Sequence, residues 1–187
     1  SPSSSVLFSG ASTVSHPIYY VSFDNFSVGV LQGQFLEEQL GLADRTADDP
    51  AYIEFTAGDP ADNNAPYFYN GAMSILQPYL DSGVLVCLSG QTDFDVVATE
   101  QWNTDTALDR AQTILASYYS GGEHLDAWLC SNDSTALGVT QAVTSDYTGG
   151  NTVIITGQDG DVANLRNIVD GTQAMTVYKA VANEAVA

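Results

Sequence analysis

Positive charge is what this sequence has least of: against 23 acidic residues stand four basic ones, Arg45, Arg110, Arg166 and Lys179, for a formal net charge of −19. Nucleic acid and anionic membrane are excluded as partners, because both need cationic side chains to meet their own charge. The excess reads as a solubilising surface, and adaptation to a salty medium would produce the same composition. No apolar run approaches the ~20 residues of a membrane-spanning helix. Ser1-Pro2-Ser3-Ser4-Ser5 has neither the basic patch nor the apolar stretch of a secretion signal. The two histidines, His16 and His124, and the two cysteines, Cys87 and Cys130, show no metal-ligand spacing. No metal or other cofactor is therefore expected, and the cysteines, each inside an apolar run, read as buried reduced thiols. No GxSxG, P-loop or GxGxxG occurs. The pairs Asp93/Asp95 and Asp159/Asp161 resemble glycosidase carboxylates only in being paired, and helix capping accounts for them more simply. The spacing of a calcium loop is missing too. The expectation is a binding protein, not an enzyme.

What is present is a repeated unit of apolar strand, polar loop and amphipathic helix. At 187 residues and 44% hydrophobic composition, the chain suits one domain with a sizeable core. The first 17 residues are Ser-rich and lack clear periodicity, as in a tail. Tyr19, Val21 and Phe23 alternate like a strand up to Asp24-Asn25, and a helix with Val28, Leu31, Phe35 and Leu36 on one face runs to Gly41. The first strand of the repeating unit is Ala51 to Phe55, followed by the loop Gly58 to Asn64 and a helix ending at Gly83. A second strand, Val84 to Leu88, leads through a long loop to a helix from about Thr104 to Tyr119. A third, Ala127 to Cys130, is followed by Ser131-Asn132-Asp133-Ser134 and a helix to Val143. The fourth, Val153 to Thr156, precedes Gly157-Gln158-Asp159-Gly160-Asp161 and a helix broken by Gly171. A fifth, Ala174 to Tyr178, runs into Lys179. Strands that are nearly all apolar and alternate with helices predict a parallel sheet covered on both faces. Right-handed crossovers put every strand-to-helix loop at one edge, where such sheets bind ligands.

Those loops hold more polar groups than helix capping requires. Asp133 or Ser134 suffices to cap one helix and Asp161 the next, which leaves Asn132 and Asp159 at the strand ends. Asp62, Asn63 and Asn64 are three candidates for one cap. Any one of these residues is explained as a cap or turn residue; a surplus in three loops on one edge points to a ligand. Carboxylates and amides together match sugar hydroxyls, which both donate and accept, and an indole covers the C–H face of a sugar ring. Trp102, placed at the start of the second helix, suits that role or ordinary packing equally well, whereas Trp128 inside a strand belongs to the core.

Several segments resemble the periplasmic sugar-binding proteins of ABC transporters, in particular the xylose-binding and multiple-sugar-binding branch. They are Gly58-Asp59-Pro60-Ala61-Asp62-Asn63-Asn64-Ala65, Asn70-Gly71-Ala72-Met73, Leu76-Gln77-Pro78-Tyr79-Leu80-Asp81-Ser82-Gly83, Ser131-Asn132-Asp133, Thr156-Gly157-Gln158-Asp159 and Gly171-Thr172-Gln173-Ala174-Met175-Thr176-Val177-Tyr178-Lys179. The resemblance implies an α/β three-layer sandwich, with a mostly parallel five- to six-stranded sheet of order 2-1-3-4-5, forming one lobe of a type I periplasmic-binding-protein fold. It implies a monosaccharide ligand (xylose, glucose or a similar aldose) held by Asp62, Asn64, Trp102, Asn132, Asp159 and Lys179, with Asn63 supporting the loop. The lone lysine would donate to sugar oxygens and balance Asp159.

The same strand order separates the second and third strands by the first, so two spacings of about 4.8 Å hold Cys87 and Cys130 about 10 Å apart. That exceeds the ~7 Å reach of a disulfide, and free thiols are expected. The division implied is a tail and hinge-crossing strand over 1–23, a C-terminal sugar-binding lobe over 24–179, and the start of a return towards a missing N-terminal lobe over 180–187. An extracytoplasmic protein is implied, periplasmic or a cell-surface lipoprotein, serving an ABC permease or a chemoreceptor-like sensor. The alternative is an interaction or sensor lobe that docks on a permease, a receptor or a separate N-terminal lobe.

Overall fold

A computed structural model describes residues 5–9 and 24–179, the backbone alone at 5–9, 178 and 179. The chain forms β1 (Ser5–Ser9), α1 (Asn25–Gln39), β2 (Ala51–Thr56), α2 (Ala65–Ser82), β3 (Leu85–Val86), a one-turn α3 (Phe94–Val97) and α4 (Thr104–Tyr118). It continues through β4 (Ala127–Cys130), α5 (Asp133–Asp146), β5 (Ile154–Ile155), α6 (Val162–Asp170) and β6 (Met175–Lys179). The helices stop where the glycines predict: Gly83 and Gly171 occupy the left-handed region after α2 and α6, at φ 79° and 82°.

The central sheet is parallel, with the order β3-β2-β4-β5, and Ile53 to Thr56 run in register with Ala127 to Cys130. This is the expected order for the first four strands of the repeat. The fifth, β6, joins through a single parallel bridge between Gln158 and Val177, supported by Ala174 N to Ile155 O at 2.9 Å and Val177 N to Gly157 O at 3.1 Å. β5 is only two residues long, so most of β6 lies beyond it. There β6 pairs antiparallel with β1, from Ser5 opposite Lys179 to Ser9 opposite Met175. Residues 5–9, expected as part of a tail, thus form a strand, too short for an alternation of Val6, Leu7 and Phe8 to announce it. The crossing strand expected at Tyr19 to Phe23 lies outside the described residues.

Alternation along the strands divides the core in two. Ile53, Phe55, Ala127 and Leu129 face α1 and α2, where Val28, Leu36, Phe68 and Leu76 are buried. Trp128, Cys130 and Ile155 face α4 and α5, with Ile114, Leu115 and Val139. Trp128 is fully buried, as expected of a core residue, and donates to Thr56 Oγ1 at 2.9 Å. Cys87 and Cys130 are free, as the order β3-β2-β4 requires. Burial pushes the Cys87 thiol up to about 12 and the Cys130 thiol well above its ordinary value.

One carboxyl group sits inside the second layer. Glu54 is fully buried and accepts from Tyr119 Oη at 2.8 Å, Ser89 Oγ at 2.6 Å and Ser89 N at 3.1 Å. Nearby Arg110 donates to Phe55 O and Gln91 Oε1, both at 2.7 Å. Together they tie the long loop after β3 to β2 and α4, and so fix the start of the segment that reaches the cavity described below.

α1 and α2 pack close enough to need glycine at their contact. A Cβ on Gly71 would stand 2.0 Å from Phe26 O, and one on Gly29 1.9 Å from Phe68 O. Gly71→Ala should therefore destabilise the fold by about 1–3 kcal/mol, although alanine is the better helix former. Urea unfolding checks this, through a lower midpoint at unchanged slope.

Candidate functional site

The loops after β2, β4 and β5 meet the long loop before α4 around a cavity of about 390 Å³. Asp62, Asn64, Trp102, Asn132 and Asp159 all line it, and these are five of the six residues expected from the sequence. Of the sixth, Lys179, only the backbone is described, at the end of β6; its side chain lies outside the described residues. Three further residues border the cavity: Asn25, Phe68 and Gln158. Phe68 reads from sequence as one more apolar residue of α2, and Asn25 as the end of the crossing strand. Gln158 sits within the resembling loop, yet nothing in its type sets it apart from a turn residue.

Trp102 is positioned by backbone pairing upstream of α4. Ala57 N donates to Val97 O at 2.8 Å and Thr99 N to Gly58 O at 2.9 Å, which lays residues 97–99 along the end of β2. The chain then turns through Gln101 and Trp102 with φ 55° and 52°, in the left-handed region, before Asn103 caps α4 by accepting from Thr106 N at 2.9 Å. Trp102 therefore precedes the helix rather than opening it, in a 3-10 turn over Glu100–Trp102. Two non-glycine residues in that region cost conformational energy. They turn the indole back over the first loop, where Nε1 donates to Asp62 Oδ2 at 3.3 Å and the ring meets Phe68 edge-on at 6.1 Å. Gly58 makes the space, since a Cβ there would stand 2.1 Å from the indole.

The amides are oriented by what they do for the fold. Asn132 caps α5: its Oδ1 accepts from Thr135 N at 2.9 Å and Thr135 Oγ1 at 2.7 Å. Asp133 or Ser134 was the expected cap. The difference arises because Asp133 is drawn into the interior, where Asp161 N donates to it at 2.8 Å. Asp161 in turn occupies the N-cap position of α6 without a side-chain capping bond. With its oxygen engaged, Asn132 has its Nδ2 hydrogens left for the cavity. Asn64 is similar: its Oδ1 accepts from Asn25 Nδ2 at 2.9 Å. Asp62 holds its own loop, Oδ1 accepting from Asn64 N at 2.8 Å. Asn63, expected to support that loop, is exposed, and the support comes from Asp62 and from Asp59, which accepts from Ala61 N at 2.9 Å.

Asp159 has φ 121° and is held by its N–H to Val177 O at 2.9 Å. The cavity thus combines carboxylate acceptors at Asp62 and Asp159, amide donors at Asn64 and Asn132, and an aromatic wall of Trp102 and Phe68. Nothing in that set is a nucleophile paired with a base. Among the described residues no cluster of three His, Cys, Asp or Glu is placed to hold a metal ion, and no helix is long and apolar enough to cross a membrane.

An open parallel sheet with a polar, aromatic-walled cavity at its carboxyl edge is the architecture of a small-solute binding domain. The periplasmic binding protein domain family matches residues 6–187, and the chain belongs to that family. The multiple sugar-binding periplasmic protein SbpA of Azospirillum brasilense is 43% identical over 164 residues, 86% of this chain and 45% of that protein. The D-xylose-binding periplasmic protein of Escherichia coli is 36% identical over 163 residues, 87% of this chain and 44% of that protein. An ABC transporter solute binding protein from Clostridium phytofermentans, solved with bound beta-D-glucose, superposes with a TM-score of 0.80 at 53% identity. That likeness covers 84% of this chain and 48% of the solved one. The chain spans about half the length of the curated relatives it matches.

Gly58→Ala should displace the indole, shift Trp102 emission and destabilise the protein by about 1–3 kcal/mol. Fluorescence and urea unfolding of the variant check this; Trp128, fully buried elsewhere, contributes a constant background.

Proposed function

We propose that this chain is the sugar-recognition lobe of an extracytoplasmic solute-binding protein serving an ABC transporter. Its ligand is a monosaccharide, xylose, glucose or a similar aldose, and it works by binding without catalysis. The observation that carries the reading is the convergence of Asp62, Asn64, Trp102, Asn132 and Asp159 on one cavity from loops far apart in sequence. A carboxylate accepts from a hydroxyl while an amide donates to its neighbour, so alternating Asp and Asn suits adjacent ring hydroxyls. Trp102 supplies the apolar face. Lys179 joins them as a donor from β6.

In this reading residues 24–179 are the C-terminal lobe, 1–23 a tail and hinge crossing, and 180–187 the start of a return to an N-terminal lobe. The ligand is shared between the lobes, and the closed clamp is what a permease or a chemoreceptor-like sensor recognises. A periplasmic or lipid-anchored location follows. The names of the relatives, periplasmic and sugar-binding, support it.

A half-site leaves its ligand wet, so the chain by itself should bind in the millimolar range, roughly −4 kcal/mol. Titrating D-glucose and D-xylose while following backbone amides by NMR should move signals at 58–64, 102, 132 and 157–159. Trp102→Ala should abolish the response. Silence of all four regions at high sugar would sink the proposal.

A further inference from the structure

Below the cavity a single carboxylate joins the segments that carry its polar groups. Asp133 is fully buried at the start of α5. Its Oδ2 accepts from Asp161 N at 2.8 Å, and its Oδ1 from Thr176 Oγ1 at 2.8 Å and Gln173 Nε2 at 3.2 Å. Its backbone N–H donates to Gln158 O at 2.7 Å, and its backbone carbonyl accepts from Asn164 Nδ2 at 2.8 Å. A Cβ on Gly157 would stand 2.2 Å from Oδ1, so the carboxylate lies directly against the strand end that leads to Gln158 and Asp159.

Helix capping does not explain Asp133, because Asn132 already meets Thr135 N. Nor is it half of an ion pair: among the described residues no cation lies within bridging distance of it. A buried carboxylate without a cation costs free energy that only its hydrogen bonds offset. What those bonds accomplish is geometric. They hold the loop of Gln158 and Asp159, and the strand that leads to Lys179, against the residue that follows Asn132.

We propose that Asp133 is a positioning residue for ligand recognition, its carboxylate setting the spacing between Asn132 and Asp159 across the cavity. The inference rests on the sugar-binding reading of that cavity.

It brings a pH dependence. Burial holds the Asp133 carboxyl up at about 6; its three hydrogen bonds pull the other way, and the neighbouring Asp161 charge adds to the rise. The other groups facing it are the Cys130 thiol from β4, kept protonated by burial, and the uncharged Gln173, Thr176 and Asn164. Protonation turns one acceptor oxygen into a donor: on Oδ2 it opposes the Asp161 N–H, and on Oδ1 it opposes Gln173 Nε2 or makes the Thr176 hydroxyl reverse from donor to acceptor. The positioning is therefore present above about pH 6 and lost as pH falls through it. Fold stability runs the other way for this group. Its folded value lies above the unfolded one, so the cost of burying the charge is absent below about pH 4 and full above about pH 6. A purely structural Asp133 would thus leave affinity unaffected by mild acid.

The test uses the full chain. Without sugar, the Asp133 carboxyl carbon and the amides of 157–161 should titrate together with a midpoint near 6. D-glucose should bind about tenfold more weakly at pH 5 than at pH 7.5, the scale of one unmet buried donor. Asp133→Asn should bind about tenfold more weakly at pH 7.5 and show a flat profile. Should that variant fail to fold, Thr176→Val removes one donor to Asp133 and should raise the midpoint while weakening binding. Loop amides indifferent to the Asp133 titration, or an Asp133→Asn protein that binds D-glucose with the wild-type profile, would overturn the inference. A coupled titration with no response to D-glucose or D-xylose at either pH would overturn the sugar reading and leave the hold of Asp133 on the loops standing.

Discussion

Parallel strands covered on both faces have to end somewhere, and where β2, β4 and β5 end, buried backbone groups must find partners other than the next strand. The structure meets that demand with side chains. Gln32 from α1 donates to Gly157 O at 2.8 Å, Thr156 Oγ1 accepts from Cys130 N at 3.0 Å, and Asp133 accepts from Asp161 N. The result is a polar floor beneath an apolar-sided sheet. The cavity stands on that floor.

A second consequence is that residues lining the cavity also hold the fold, through one polar atom of the side chain while the other is left for a second task. Asn132 is a helix cap on its oxygen side and a free donor on its nitrogen side. Asp62 builds its own loop with one oxygen and steadies the indole with the other. For these residues a bond that holds the fold also sets where the remaining polar atom of the side chain lies. This double use also explains why the backbone tolerates left-handed, non-glycine residues at Gln101, Trp102 and Asp159, two of which line the cavity.

Much of this was legible beforehand. The strand–loop–helix repeat predicted a parallel sheet, and the resemblance supplied its order and the polar residues at its edge. Three things were not. The cap of α5 went to Asn132 because Asp133 was drawn inwards by β6 and the loop before α6, partners 28 to 43 residues away that no local pattern reveals. Phe68 was hidden within a helix whose periodicity accounts for it fully. β1 was missed because its reason to be a strand is β6, at the far end of the chain.

The sequence by itself determined the classes of interaction available. Apolar strands alternating with glycine-stopped helices predict a doubly covered sheet, and the surplus Asp and Asn in its loops are of types that pair with hydroxyl groups. Only the tertiary structure decided which atoms those interactions use. Whether an amide presents its oxygen or its nitrogen, and whether a carboxylate faces solvent or the interior, depends on donors brought close by folding. Those donors come from other strands and helices, and their positions are set by packing rather than by neighbours along the chain.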